Sequence, residues 1–121
     1  IMHTGNNIPR VNDTATIRDA LLEMSKKGLG MTAIENNAGE LVGLFTDGDL
    51  RRALDSTAEC RTTPITELMT KNPKTCHQDM MAVDVLNLMQ QHEINGFMVV
   101  DEQHKVIGAL NMIDMLKSGV M

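Results

Sequence analysis

The chain has 121 residues, 42% hydrophobic and 22% charged, the balance of one soluble globular domain or of two small halves that share a core. A net charge of −5 with scattered Lys and Arg leaves no nucleic-acid footprint, and no apolar run approaches the roughly 18 residues that span a bilayer. The start, I-M-H-T-G, lacks the regions of a signal peptide, so a cytoplasmic setting is expected; a first residue Ile1 rather than Met suggests a piece of something longer.

In chain order, an extended piece is expected around residues 8–11. Ile17, Ala20, Leu21 and Met24 then follow the i, i+3, i+4, i+7 spacing of one helix face. Two short runs of strand formers, 31–34 and 41–45, flank the turn-like E-N-N-A-G-E and predict a hairpin. A helix over 47–55 completes the unit, and residues 56–67, with Pro64, form a connection. The order then repeats: an extended piece at 73–76, a helix face of Ala82, Val85, Leu86 and Met89, strands at 97–100 and 106–110 around D-E-Q-H-K, and a helix over 112–117.

The repetition is gapless at an offset of 65, with residues 16–51 falling on 81–116. Asp19 meets Asp84, Met24 meets Met89, Gly43 meets Gly108 and Asp49 meets Asp114. The expected organisation is therefore α+β: a first repeat 1–55, a connection 56–67 and a second repeat 68–121. Each repeat, at about 55 residues, is short of the core needed to stand alone, so the two are expected to pair pseudo-symmetrically. Eight of the eleven Met lie at or after Met69, which suits either core filling or a surface that meets another subunit.

Cys60 and Cys76 share no CxxC spacing and read as reduced thiols, and His3, His77, His92 and His104 form no ligand-spaced pair, so no metal is expected. The stretch with most chemistry is T-D-G-D, residues 46–49, where an apolar strand gives way to a helix. Thr46 and Asp49 have the spacing of a capping box, which satisfies exposed helix amides. The same helix start also attracts phosphate, so capping and binding are compatible. A calcium loop is excluded, because Arg51 and Arg52 stand where it needs a ligand and a glycine.

The duplicated β-α-β-β-α order, Gly43 and Gly108 inside the third strands, and G-L-F-T-D-G-D as G-h-h-T-x-x-D resemble a tandem pair of CBS domains. I-M-H-T-G, L-G-M-T and F-T-D-G-D-L-R-R further resemble the C-terminal regulatory half of bacterial arabinose-5-phosphate isomerases. Those enzymes join a catalytic sugar-isomerase (SIS) domain to a CBS pair and feed the pathway to Kdo, a lipopolysaccharide sugar. The resemblance implies a non-catalytic regulatory chain with no required cofactor, whose partners are the SIS domain and a nucleotide or CMP-sugar such as CMP-Kdo. The ligand would sit in a cleft between repeats.

Carried over residue by residue, the resemblance makes Thr46 a phosphate contact and Asp49 a ribose contact. Ile8, Pro9, Met31 and Thr32 complete the first site, and Thr75, Gly96, Phe97, Asn111 and Asp114 line the second. The second copy reads N-M-I-D at 111–114, so Asn111 replaces the hydroxyl and an apolar pair replaces Asp-Gly, which makes the first site the favoured one. A homo-oligomer is expected, and a purely structural oligomerisation module without ligand stays open as the alternative. A free-standing enzyme is disfavoured: no nucleophile–base pair, metal set or Gly-rich phosphate loop is present.

Overall fold

A computed structural model describes residues 2–55, 59, 61–77, 79–92, 94 and 96–113. The chain divides into two compact units, Pro9–Pro73 and a second made of Ile1–Ile8 with Lys74–Met121. Each is built on one small sheet.

In the Pro9–Pro73 unit, β1 (Arg10–Asn12) leads to α1 (Ile17–Lys27), then to β2 (Met31–Glu35), β3 (Leu41–Thr46) and α2 (Asp47–Asp55), and a two-residue β4 (Thr70–Lys71) closes it. The sheet order is β1-β2-β3-β4, with β1 parallel to β2 and the other pairs antiparallel. The parallel step exists because α1 carries the chain back across the sheet. Ile17, Ala20 and Met24 of α1 bury with Ile34, Phe45 and Ile65, so the face read from the periodicity is the one that packs; Leu21 lies at its margin. Burying each of the Ile, Met and Phe side chains contributes about 1.5–3 kcal/mol. Glu23 ties α1 to β1, accepting from the Arg10 amide and from Lys27 Nζ, each at 3.0 Å. Burial pushes its carboxyl up, but those two partners outweigh it and hold it below the ordinary value.

The other unit repeats the plan with β5 (Thr75–His77), α3 (Ala82–His92), β6 (Gly96–Val100) and β7 (Val106–Asn111), in the order β5-β6-β7. Its core gathers Cys76, Val85, Leu86, Met89, Phe97, Val99 and Leu110. The offset of 65 holds to the level of register: Met31 faces Thr46 as Gly96 faces Asn111, and both hairpins shift register at one place, after Ile34 and after Val99. It extends to the turns. Asn36 accepts from the amides of Ala38 and Glu40 at 3.0 Å, and Asp101 accepts from those of Gln103 and Lys105 at 2.9 and 3.0 Å.

The extended pieces expected at 8–11 and 73–76 form strands one to two residues later than read, at Arg10–Asn12 and Thr75–His77. The helix expected over 112–117 is helical at Met112 and Ile113; its remainder, with Asp114, lies outside the described residues, as does Cys60.

Periodicity did not reveal β4, or the parallel role of the first residues. Thr70 pairs with Leu44 on β3, and His3 bridges Ala109 on β7, which is Leu44 plus 65. Met69 and Met2, the residues before these two, lay their thioethers over Gly43 and Gly108, where an added Cβ would overlap the sulfur. The glycine inside each third strand is thus the seat of a methionine. Met2 and Met69 are 67 residues apart rather than 65, so a gapless overlay cannot align them.

Candidate functional site

T-D-G-D is the corner at which β3 turns into α2. Thr46, the last strand residue, accepts from the Asp49 amide through Oγ1 at 3.3 Å, and Asp49 Oδ2 accepts from the Thr46 amide at 2.9 Å. That is the expected reciprocal capping box, and it pre-sets the corner by satisfying amides that α2 leaves without helical partners. The loop before β2 shapes the other side: Gly30 has φ +71°, its carbonyl accepts from the Asp47 amide at 3.3 Å, and a Cβ there would press on the Asp47 carboxylate at 3.0 Å. A glycine answers both demands.

A second capping box in the same unit provides an internal comparison. Thr16 and Asp19 at the start of α1 make the same two bonds, 3.3 and 3.0 Å, and Asp19 is exposed. Asp49 differs, being 2% exposed. Its carboxylate also accepts from the Thr46 hydroxyl at 3.2 Å and from the Thr70 hydroxyl at 3.1 and 3.2 Å, and it pairs with Arg52. A carboxylate with so many donors is held in one orientation, more than a helix cap requires. Neither Thr70 nor Arg52 was foreseen as its partner. Arg52, three residues on, was legible as an i, i+3 neighbour; Thr70, 21 residues on, was not.

Met31 sits opposite Thr46 across the hairpin and is buried, as are Ile8 and Pro9. The Pro9 carbonyl accepts from the Ala33 amide at 2.9 Å, so β2 is anchored immediately beyond Met31 and Thr32. Thr32 is fully buried and donates its hydroxyl to the Ala20 carbonyl at 3.3 Å, which turns it toward α1. In the other unit Gly96 and Asn111 face each other and are half-buried, Thr75 is half-buried beside Met98, and Phe97 is fully buried in the core. Met112 packs against that core while Ile113 is 59% exposed, so the apolar pair in N-M-I-D divides between packing and solvent.

Elsewhere, Cys76 is a buried free thiol whose pKa burial pushes up to about 11. No group of three or more His, Cys, Asp or Glu able to hold a metal occurs among the described residues. An open depression lined by His77, Asp79 and the 100–103 turn has its Asp101 carboxylate spent on the turn amides.

A duplicated sheet of this topology, each copy with a glycine-seated methionine, agrees with a family model. The CBS domain model matches residues 1–56 and again 65–120. The chain belongs to the CBS domain family. As a CBS pair it is a regulatory module and not a catalytic one. Along its whole length it is 43% identical to the arabinose 5-phosphate isomerase KdsD of Pseudomonas aeruginosa and 46% identical to that of Escherichia coli K12, and it spans 37% of the length of each. Among solved structures, the CBS domain pair of protein MJ0100, in complex with 5′-methylthioadenosine and S-adenosylmethionine, superposes with a TM-score of 0.85 at 26% identity, covering 96% of this chain and 94% of that one. CBSX2 in complex with AMP superposes at 0.81 with 21% identity, covering 98% and 92%, and bears on the fold.

Proposed function

We propose that this chain is the ligand-sensing regulatory module of a bacterial, cytoplasmic arabinose 5-phosphate isomerase, joined in the full protein to a SIS catalytic domain. The observation that carries the reading is Asp49: a buried, multiply bonded carboxylate in the first turn of α2, where its counterpart Asp19 is a plain exposed cap. The ligand is a nucleotide or a CMP-sugar such as CMP-Kdo, with its phosphate at the first amides of α2 beside Thr46 and its ribose hydroxyls at Asp49. Ile8, Pro9, Met31 and Thr32 shape the apolar surroundings of the base. The second copy, with Thr75, Gly96, Phe97, Asn111 and Asp114, is the weaker site.

Two comparisons support the ligand class and the parent enzyme: the adenosine compounds held by the CBS pair of MJ0100, and the arabinose 5-phosphate isomerases that match all 121 residues. End-product control of the isomerase gives the ligand a purpose, since a CMP-activated sugar acid lies downstream of its product. A thermal-shift series with AMP, CMP and CMP-Kdo tests the reading. A ligand at 100 times its dissociation constant adds about 2.7 kcal/mol to stability, a shift of several degrees. If none of the three moves the midpoint at millimolar concentration, the reading fails.

A second reading, self-association without ligand, is favoured by apolar side chains left in solvent, Leu22 at 59% and Leu54 at 71% in one unit and Met81 at 68% in the other. Light scattering that reports only monomer at high micromolar concentration would exclude it.

A further inference from the structure

The Asp49 carboxylate has its acceptor capacity filled. An ionised carboxylate offers about four lone-pair directions. Four donors already take them: the Thr46 amide and hydroxyl on Oδ2, Arg52 on Oδ1, and the Thr70 hydroxyl, which lies 3.1 Å from Oδ1 and 3.2 Å from Oδ2. A vicinal diol needs two of those directions, so two donors must leave. The Thr46 groups are built into the helix corner and stay. Arg52 is 68% exposed along its side chain and returns to water readily.

Thr70 is a different case, because its backbone belongs to β4 and pairs with Leu44, while Lys71 pairs with Gly43. Its neighbour Met69 is seated on Gly43. Releasing the hydroxyl therefore removes one attachment of a two-residue strand near the end of the Pro9–Pro73 unit.

We propose that Thr70 is a regulatory clip. In the ligand-free chain its hydroxyl occupies Asp49 and holds β4 on β3; a ribose-bearing ligand takes that position, frees Thr70 and loosens β4. Site occupancy is thereby converted into a change in how β4 is held on β3. This deepens the function proposed above and rests on Asp49 as the ribose contact.

Thr70→Val preserves shape and removes the hydroxyl, and Thr70→Ser restores it. Backbone hydrogen exchange is compared for wild type and both variants, first without ligand and then with AMP and CMP-Kdo added separately, alongside calorimetric titration. Without ligand, Thr70→Val speeds exchange by about fivefold at those amides of Thr70, Lys71, Gly43 and Leu44 that bond between β3 and β4 and leaves α1 unchanged, while Thr70→Ser matches wild type. Thr70→Val also binds the effective probe about 3–10-fold more tightly, because no clip has to be displaced. Adding that probe to wild type speeds exchange at the same amides.

Unchanged exchange in ligand-free Thr70→Val overturns the clip. So does equal or weaker binding by that variant, which would make Thr70 a support for the ligand rather than its competitor. A wild-type chain that binds neither probe removes the ligand reading and the displacement step with it, while the ligand-free exchange comparison still decides whether Thr70 holds β4.

Discussion

Asp49→Ala and Asp19→Ala delete the same side chain from two capping boxes of one unit, and the structure assigns them different costs. Losing the reciprocal cap bond costs about 0.5–2 kcal/mol in either place. Asp19 is exposed, so water replaces it and its variant belongs at about 0.5–1 kcal/mol. Asp49 is 2% exposed, and its loss strips the carboxylate from the Thr46 amide and the Thr70 hydroxyl. A bond to a charged acceptor is worth about 1.5–3 kcal/mol, and a donor left without a partner costs about 1–3 kcal/mol. Arg52 is 68% exposed, so its pair adds at most about 1 kcal/mol.

Because these terms overlap, the expected total for Asp49→Ala is about 2–4 kcal/mol. Urea denaturation followed by circular dichroism reads the difference. With a slope of about 2 kcal/mol per molar, Asp49→Ala moves the midpoint by roughly 1–2 M and Asp19→Ala by no more than about 0.5 M. Equal midpoint shifts would refute the claim that Asp49 does more than cap α2.

Gly43→Ala forces Met69 off its seat and is expected to destabilise the chain by about 1–3 kcal/mol; Met69→Ala in the same chain should recover part of that loss, and a double-mutant cycle in urea checks the coupling. Cys76, 1% exposed with its pKa raised to about 11, should resist iodoacetamide at pH 8 in the native state and react on unfolding, as mass spectrometry would show. Its raised pKa means the folded chain holds the thiol proton more tightly than the unfolded one. Its contribution is thus fully present below pH about 9 and declines toward pH about 11, at up to about 1.4 kcal/mol per unit; Cys76→Ala should flatten that decline in pH-dependent denaturation.

Much of this protein follows from local sequence. The i, i+3, i+4, i+7 faces beginning at Ile17 and Ala82 and the turn-separated runs of strand formers set the elements, because helix and strand periods place apolar side chains on one face whatever lies across from them. The offset of 65 set the duplication, and Thr46–Asp49 set the cap, since both partners lie within one turn. Three things depended on the tertiary structure. The N-terminal residues joined the distant unit, β4 formed on β3, and Thr70 reached Asp49. Each rests on contacts 21 or more residues apart in the chain, made by segments too short to show a period. Such pairings are selected by shape at the place of contact, a thioether over a strand glycine or a hydroxyl on a buried carboxylate, and that complementarity exists only once the sheet has assembled.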